Sequence, residues 1–318
     1  MHTTYFLKAD RVIKRLLNEG KRDFALFPFG ERGMMVKDIL NRRYGVHERY
    51  IVDNGLSPLG GGGVISLDDL KNKNLNDLVI LLTSDNEEIY SDIRFELMKR
   101  FPIEKIVDLF SDSMYFDPEV RYEGYNSHPR LAALEANARE LYLNHVEGAI
   151  AECGVYRGNF ANYMSRFMPD RKLYLFDTFS GFDSRDIDGR EYEWSKEFRK
   201  ESGNLADTTV EAALENIGYR YNAIVRQGYF PDTAKGLEDE RFAFVSLDTD
   251  LYKPILAGLE FFYPRLNPGG VIFVDDLGHH QLLGVREAIV KFCRQENIGY
   301  ISVPDGTDST AAIVKPLC

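Results

Sequence analysis

The sequence of 318 residues has few of the features that mark secreted, zinc-binding or nucleic-acid-binding proteins. Cysteine is scarce, with only Cys153, Cys293 and Cys318, and no CxxC pair occurs, so we predict neither a disulfide framework nor a zinc motif. Basic residues are outnumbered, with 39 Lys and Arg against 50 Asp and Glu and a net charge of −11. This balance argues against nucleic acid and against an anionic membrane surface as partners.

Long apolar segments are also missing. No run reaches the ~18 residues that a membrane-spanning helix needs. The first 24 residues lack the apolar core and the small-residue cleavage site of a signal peptide. Together with the sparse cysteine, this leads us to expect a cytoplasmic protein that does not bind a membrane. Hydrophobic residues make up 44% and charged residues 28%, as in a globular chain, and the length allows about two domains.

The first region, residues 1–112, is predicted to be a Rossmann-like accessory domain. Four apolar segments read as strands and alternate with helical segments, which is typical of a parallel sheet. These segments are residues 24–27, 50–52, 78–82 and 106–107. Gly30 and Gly33 follow the first segment, but a clean GxGxxG is absent, so a structural turn is favoured over a phosphate loop. The glycine run at residues 60–63 predicts a loop.

Residues 113–144 are predicted to form a helical linker into a second domain, residues 145–318. In the linker, Leu131, Leu134, Ala138 and Leu141 recur at helical spacing. In the second domain, five predicted strands end at Glu152, at Asp177, in the turn after Val225, at Asp248 and at Asp275. A hairpin of residues 300–303 and 311–314 follows. Five parallel strands and a terminal antiparallel hairpin are the arrangement of a class I methyltransferase, a doubly wound α/β sheet.

A glycine-containing turn follows the first of these strands, in the pattern Glu152-x-Gly154-x-x-x-Gly158. Glycine has no Cβ, so its backbone can approach a ligand closely. Asp177 comes about 20 residues later, at the end of the next strand, which suits a ribose diol. The glycine spacing disfavours NAD, whereas S-adenosylmethionine has a ribose, a positive sulfonium and no pyrophosphate. A purely structural strand–turn–helix remains an alternative explanation.

Three carboxylates end two further strands: Asp248 at one, Asp275 and Asp276 at the other. If those strands are neighbours, about 4.8 Å apart, the three side chains face one point. Clustered carboxylates repel one another, and a hard divalent cation such as Mg²⁺ relieves the repulsion. The alternative is that Asp248 and Asp276 cap the helices that follow.

Asp248 and Asp250 also form a D-x-D, as in metal-dependent glycosyltransferases that hold a nucleotide diphosphate. In a strand, alternation would point both acids the same way. A nucleotide-sugar glycosyltransferase is therefore the alternative function. This alternative function gives no role to the glycine turn, Asp177 or the Asp275–Asp276 pair.

Two segments near these strand ends are further candidates. Residues 227–233 follow the third strand and either cover the adenine side of the cleft or form a simple Gly/Pro turn. His279 follows the acid pair, and a histidine there is either a general base or a solvated loop residue.

Five ordered motifs within residues 140–300 resemble the macrocin and novobiocin type of sugar O-methyltransferases. The motifs are residues 152–158, 175–182, 228–233, 247–252 and 268–276. The resemblance implies methylation of a sugar hydroxyl with S-adenosylmethionine and Mg²⁺, and metal ligation by Asp248, Asp275 and Asp276. Catalytic roles are predicted for Asp248 and His279. The predicted cofactor residues are Glu152, Gly154, Tyr156, Gly158, Asp177, Thr178, Gln227 and Gly228.

The first domain departs from that family, whose members mostly begin with short helices. Through residues 50–54 and 78–84 it loosely resembles the C-terminal accessory domain of sugar C-methyltransferases. The acceptor is therefore predicted only by class: a nucleotide-linked sugar, a surface glycan or a glycosylated antibiotic. We further expect a homo-oligomer, most simply a dimer.

Overall fold

The structure is a computed structural model that describes residues 2–56, 63–84, 86, 89–109, 128–187, 189–217, 220–305 and 308–317. The chain forms two compact units, Met1–Tyr115 and Phe116–Cys318. Among the described helices, none combines the length and the apolar character that crossing a bilayer requires.

The first unit is built on a five-stranded sheet in the order β3-β2-β1-β4-β5, with every pair parallel. Its strands are β1 (Asp23–Phe27), β2 (Tyr50–Val52), β3 (Val64–Ile65), β4 (Leu78–Leu82) and β5 (Ile106–Asp108). Its helices are α1 (His2–Asn18), α2 (Glu31–Asp38), α3 (Leu67–Lys71) and α4 (Tyr90–Met98). The parallel Rossmann-like sheet is confirmed, and β4 is buried along its whole length, as its unbroken apolar run requires. The short β3 and α3 were not predicted.

The turn after β1 has a structural reason for its second glycine. A Cβ on Gly33 would lie 3.0 Å from the ring of Phe29 and 3.0 Å from the carbonyl oxygen of Pro28. Asp53, just past β2, accepts a hydrogen bond from the backbone N–H of Phe29 at 3.0 Å and fastens the same turn. Of the predicted loop at residues 60–63, all but Gly63 lies outside the described residues.

The second unit is built on a seven-stranded sheet in the order β11-β12-β10-β9-β6-β7-β8. Its strands are β6 (Ala149–Cys153), β7 (Leu173–Asp177), β8 (Ala223–Gln227), β9 (Phe242–Leu247), β10 (Leu266–Val274), β11 (Ile301–Asp305) and β12 (Asp308–Val314). Strands β6 to β10 are parallel to one another, and β12 runs antiparallel to both β10 and β11. The predicted class I methyltransferase arrangement is confirmed.

The described residues of this unit form six α-helices. They are α5 (His128–Leu143), α6 (Asn159–Phe167), α7 (Gly189–Glu201), α8 (Val210–Asn216), α9 (Tyr252–Phe262) and α10 (Leu283–Glu296). Helix α9 ends at Phe262, because Tyr263–Arg265 form a 3₁₀ turn containing Pro264 and Leu266 already begins β10.

The helix predicted inside the 113–144 linker is part of the core of the second unit instead. Leu131, Leu134, Ala138 and Leu141 of α5 are each at most 1% exposed and pack in one cluster with side chains of β6, α6, β9 and β10. The apolar spacing was read correctly, but a stripe of this kind needs a surface to pack on. Here that surface is the sheet.

Candidate active site

The carboxyl ends of the parallel strands β6 to β10 meet at one edge of the second sheet, where open α/β sheets bind their ligands. A cleft with about 630 Å³ of empty space, including its open mouth, lies along this edge. Five of the predicted cofactor residues line it: Gly154, Tyr156, Asp177, Thr178 and Gly228. Gly158, Glu152 and Gln227 are not among the residues that line it.

The structure gives the two glycines of this turn a reason that the sequence did not show. Gly154 and Gly158 have φ values of +87° and +75°, which favour glycine. A Cβ on Gly154 would lie 1.8 Å from the carbonyl oxygen of Asp248, and one on Gly158 would lie 2.8 Å from that of Ala213. The protein's own backbone therefore approaches both glycines closely, and Gly154 also lines the cleft.

Asp177 lines the cleft and also holds the turn after β6 in place. One of its oxygens accepts the backbone N–H groups of Val155 at 2.7 Å and Tyr156 at 2.8 Å, and the other accepts that of Phe179 at 2.6 Å. A carboxylate has about four acceptor positions. Three of these positions are occupied, so little capacity is left for a ribose diol. Asp177 shapes the cleft mainly by fixing the turn after β6.

Glu152 lies in β6, behind the cleft, and is 1% exposed. Burial raises its pKa to about 8, although the nearby Arg130 favours the charged form. Its Oε2 atom is buried and has no hydrogen-bond partner among the described residues. Glu152 is therefore a mostly neutral core acid at pH 7. Gln227 ends β8 with an exposed side chain.

Asp186 and Tyr229 are among the cleft residues that were not predicted as site residues. The Tyr229 hydroxyl donates to Asp186 at 2.8 Å, and burial is the main cause that raises the pKa of both groups, that of Tyr229 to about 12. The Arg185 guanidinium lies 3.6 Å from the centre of the Tyr229 ring and pairs with Asp183 and Asp232. Tyr229 stood within a noted motif, but nothing in the spacing of Asp186 indicated a site.

The structure brings the three predicted metal ligands together. Asp248 directly follows β9, and Asp275 and Asp276 follow β10, its parallel neighbour. Each offers one oxygen, and these oxygens lie within 4.8 Å of one another. Mg²⁺ binds oxygens at 2.0–2.1 Å, so ligands on opposite sides stand about 4.2 Å apart. The donor type and the spacing fit this ion.

The helix-capping alternative for these acids is wrong. The residue at the N-cap of α9 is Leu251 and that of α10 is Leu282, and neither helix has a side-chain hydrogen bond at its cap. Asp248 and Asp276 lie before these positions, at the ends of the strands. Their placement therefore needs a reason other than helix capping.

The strand geometry assumed for the D-x-D is also absent. Strand β9 ends at Leu247, and Asp250 has a φ of +59°, so alternation along a strand does not align Asp248 with Asp250. Asp250 is 9% exposed, lines the cleft and shares a hydrogen bond with Asp276, which also has a φ of +59°. Strained backbone of this kind often occurs at functional sites.

Burial and mutual repulsion control the ionisation of this group. Burial, followed by the neighbouring carboxylates, raises the pKa of Asp248, Asp250 and Asp276 well above the ordinary value. Burial acts on Asp275 in the same direction, but Arg130 and the hydroxyl of Thr310 outweigh it and lower the pKa of Asp275. Cation binding would favour the charged form of all of them.

Arg130, from the first turn of α5, is the cation of this group, and the sequence reasoning missed it. Its side chain is 2% exposed, and its guanidinium hydrogen-bonds Asp275 and lies 3.4 Å from Asp248. A signal was present, because Arg130 stands four residues before Leu134 on the apolar stripe of α5. A charged residue in a buried stripe usually has a specific partner.

His279 lies beside the carboxylates but does not line the cleft. It forms a second group with Asp276 and Asp308, whose ligand atoms also lie within 4.8 Å of one another. Burial lowers its pKa, and its ring packs on Phe198 and His280 at centroid distances of 5.6 and 5.1 Å. A direct catalytic role for His279 stays a prediction.

Known proteins are similar to about half of the chain. The chain is 29% identical over 155 residues, 46% of its own length and 59% of the relative's, to the 8-demethyl-8-(2,3-dimethoxy-α-L-rhamnosyl)-tetracenomycin-C 4′-O-methyltransferase of Streptomyces olivaceus. It is 26% identical over 173 residues to the mycinamicin III 3″-O-methyltransferase of Micromonospora griseorubida, covering 51% of this chain and 67% of that relative. The chain thus spans about three fifths to two thirds of the length of these relatives.

A solved structure shares the fold. The O-methyltransferase NovP superposes with a TM-score of 0.52 at 20% sequence identity, over 59% of this chain and 80% of that chain. Residues 117–303, more than half of the chain, match the family described as macrocin O-methyltransferase. The chain belongs to the macrocin O-methyltransferase family.

Proposed function

We propose that this protein transfers a methyl group from S-adenosylmethionine to a hydroxyl of a sugar, with Mg²⁺ bound at Asp248, Asp275 and Asp276. The observation that carries the proposal is the position of these three carboxylates. They lie at the edge of the sheet where the cleft opens, and Asp248 belongs both to the metal group and to the cleft lining. A methyl donor and a divalent ion could therefore meet at one side chain.

The relatives support a sugar hydroxyl as the acceptor. The tetracenomycin enzyme is named for a 4′-O-methylation on a product carrying a rhamnosyl group, and the mycinamicin enzyme for a 3″-O-methylation. For this chain we infer the same class: a hydroxyl of a glycan, a nucleotide sugar or a glycosylated natural product. The predicted homodimer stays a prediction, for which sedimentation velocity is the measurement.

Several features of the cleft suit S-adenosylmethionine. Asp177 fixes the backbone turn that forms one wall, and Asp186 with Tyr229 supplies a second wall with both aromatic and polar character. Asp183, Asp186 and Asp250 also line the cleft. An acidic lining favours the positive sulfonium group electrostatically.

In the proposed reaction, the bound ion and methyl donor have one set of roles and the side chains of the protein have another. A divalent ion lowers the pKa of a hydroxyl that it contacts, and the sulfonium supplies the methyl group. Asp248, Asp275 and Asp276 would hold the ion, and the fixed cleft walls would align the acceptor oxygen with the methyl carbon. The methyl group would pass from sulfur to oxygen directly, with no covalent bond to the enzyme.

Asp250 is the best-placed base for the hydroxyl proton. It lines the cleft two residues beyond Asp248, and its carboxylate is buried there, beside the place where the acceptor hydroxyl would lie. Asp248 is less suited because metal ligation would occupy it. The products would be a methyl ether, S-adenosylhomocysteine and one proton, carried first by Asp250 and then released.

The test compares Asp248→Asn with the unchanged protein. We expect S-adenosylhomocysteine to raise the melting temperature of both proteins alike, because the cofactor walls remain. Methyl transfer to a panel of sugar nucleotides and glycosides should depend on Mg²⁺ in the unchanged protein and fall at least about a thousandfold in the variant. Wild-type activity of Asp248→Asn in Mg²⁺ would refute the metal role.

The same melting experiment tests the glycosyltransferase alternative. Under the methyltransferase proposal, UDP or GDP with Mn²⁺ leaves the melting temperature unchanged, while S-adenosylhomocysteine raises it. The reverse pattern would favour a nucleotide-sugar glycosyltransferase.

A further inference from the structure

Arg130 is a buried cation in direct contact with the proposed metal ligands. One guanidinium nitrogen, Nη1, donates to Asp275 and also lies 3.4 Å from Asp248, while Nη2 lies 3.4 Å from Asp248 and 3.3 Å from the Ser246 hydroxyl. The Nε atom is 3.8 Å from a carboxylate oxygen of Asp305. The guanidinium therefore lies among three acids: Asp248 just after β9, Asp275 just after β10, and Asp305 at the end of β11.

Neighbouring residues hold the Arg130 side chain and its partner Asp275 in place. The Arg130 guanidinium carbon is 4.1 Å from the centre of the Phe160 ring of α6, a cation–π contact. The other oxygen of Asp275 accepts from the Thr310 hydroxyl at 2.8 Å. Asp275 is thus held from two sides, by the cation of α5 and by the hydroxyl of β12.

The charges of this group suggest what Arg130 does. When a metal is bound, Asp248, Asp275 and Asp276 are held in the ionised form and carry three negative charges, and a buried group of that charge is strongly unfavourable. A divalent ion and one guanidinium together cancel it. Without the ion, Arg130 is the cation that directly contacts Asp248 and Asp275 among the described residues.

We propose that Arg130 is a resident counter-ion of the carboxylate triad: it stabilises the triad while no metal is bound and, by repelling the metal, keeps the bound ion exchangeable. The inference rests on the proposed metal site and deepens it. A mere packing role for Arg130 would leave metal affinity unchanged. A ligand-positioning role would make affinity fall when the side chain is removed.

The experiment measures Mn²⁺ binding by electron paramagnetic resonance, and Mg²⁺ binding by calorimetry, on the full chain. Arg130→Gln removes the charge but retains amide donors for Asp275. We expect this variant to bind Mn²⁺ about tenfold or more tightly than the unchanged protein, because one charge near the ion is removed from a partly desolvated site. Its melting temperature should fall without metal and recover most of the loss at saturating Mg²⁺.

Arg130→Lys is the companion variant, and it still tests the proposal if Arg130→Gln does not fold. It retains the positive charge, so its Mn²⁺ affinity should stay within about threefold of the unchanged value. A tenfold gain in this variant would contradict the proposal, since the charge is still there.

Arg171→Met is the matched control. Arg171 precedes β7, at the opposite edge of the sheet, where it donates to the carbonyl oxygens of Gly148 and Val146 and lies over the ring of Tyr142. Its loss should lower the melting temperature without changing metal affinity and without rescue by Mg²⁺.

The outcomes separate the inference from the function that underlies it. Unchanged or weaker Mn²⁺ binding by Arg130→Gln, with normal binding by the unchanged protein, overturns the counter-ion role and leaves the metal site standing. Absence of divalent binding in the unchanged protein overturns the metal site and the counter-ion role together, while stabilisation by S-adenosylhomocysteine still reports on the methyl-donor cleft.

Discussion

At the scale of single residues, the turn after β6 shows that a glycine beside a ligand cleft can be required by the protein itself. Gly154 passes against the Asp248 carbonyl, at the start of the segment that carries the proposed metal ligand Asp248 and the proposed base Asp250. The strands β6 and β9 are neighbours, and the backbone N–H of Asp248 donates to the Cys153 carbonyl at 2.8 Å. Gly154 therefore allows the turn after β6 to pass close to the segment after β9.

Gly154→Ala is expected to be severely destabilising. The added Cβ would meet the Asp248 carbonyl oxygen at 1.8 Å, and the φ of +87° adds backbone strain. Gly236→Ala is the control, because Gly236 has the same φ of +87° but open space around the Cβ position. By urea unfolding, we expect a loss of about 1 kcal/mol at Gly236 and about 4 kcal/mol or more at Gly154. Equal losses would mean that the turn relaxes around the clash.

The raised pKa of Glu152 predicts that the stability of the protein falls as pH rises. Its pKa is about 8 in the folded protein against an ordinary 4.5, so between these values the folded state holds a proton that the unfolded state has lost. The stability that this proton contributes is complete below pH 4.5 and declines as pH rises to about 8. The Gln side chain of Glu152→Gln does not ionise, so this variant does not lose stability in this way as pH rises.

The measurement is the difference in unfolding free energy between Glu152→Gln and the unchanged protein, in metal-free buffer, from pH 5 to 8. The difference should shift in favour of the variant by roughly 1.4 kcal/mol per pH unit at most. A difference that stays constant with pH would show that Glu152 ionises normally in the folded state.

At the scale of elements, Asp177 joins the end of β7 to the turn between β6 and α6. Its three backbone hydrogen bonds, to Val155, Tyr156 and Phe179, make the turn and the strand end one unit. The sequence predicts Asp177 as a cofactor residue, so its loss should weaken cofactor binding. The structure adds a loss of stability, because three amides lose their acceptor together.

Asp177→Ala should therefore lower the unfolding free energy by about 2–4 kcal/mol, measured with urea, and weaken binding of S-adenosylhomocysteine. Asp207→Ala is the control, since Asp207 contacts the Tyr156 hydroxyl and the Arg157 side chain of the same turn from the exposed side. Little change in stability is expected there. Weaker cofactor binding with unchanged stability in Asp177→Ala would point to a direct contact with the ribose instead.

The elements also show what the sequence could and could not predict. The acids at the ends of β7, β9 and β10 were predictable, because a buried parallel strand is an unbroken apolar run and the next polar residue marks its end. The partners of Arg130 and Asp186 were not predictable, because they are distant in the chain: Arg130 of α5 meets Asp275 at the end of β10, and Asp186 meets Tyr229 from another loop. Such contacts depend on packing and not on local pattern.

At the scale of the whole molecule, the residues of the cleft and the carboxylate group all belong to the second unit. That unit includes α5, which the sequence had assigned to a linker although it carries Arg130 and four core side chains. A boundary placed after α5 would have removed the cation of the site. The family match, which begins at residue 117, also includes this helix.

A chain of residues 116–318 alone should therefore fold and bind S-adenosylhomocysteine. It has its own core of two apolar clusters, one on each face of the sheet, and its length is ample for an independent domain. Isothermal titration should give an affinity within about threefold of the full chain, since every described residue of the cleft is retained. Loss of methyl transfer with retained cofactor binding would assign the first unit to the acceptor sugar. Loss of cofactor binding in a folded truncated chain would instead show that the methyl-donor cleft is incomplete without residues 1–115.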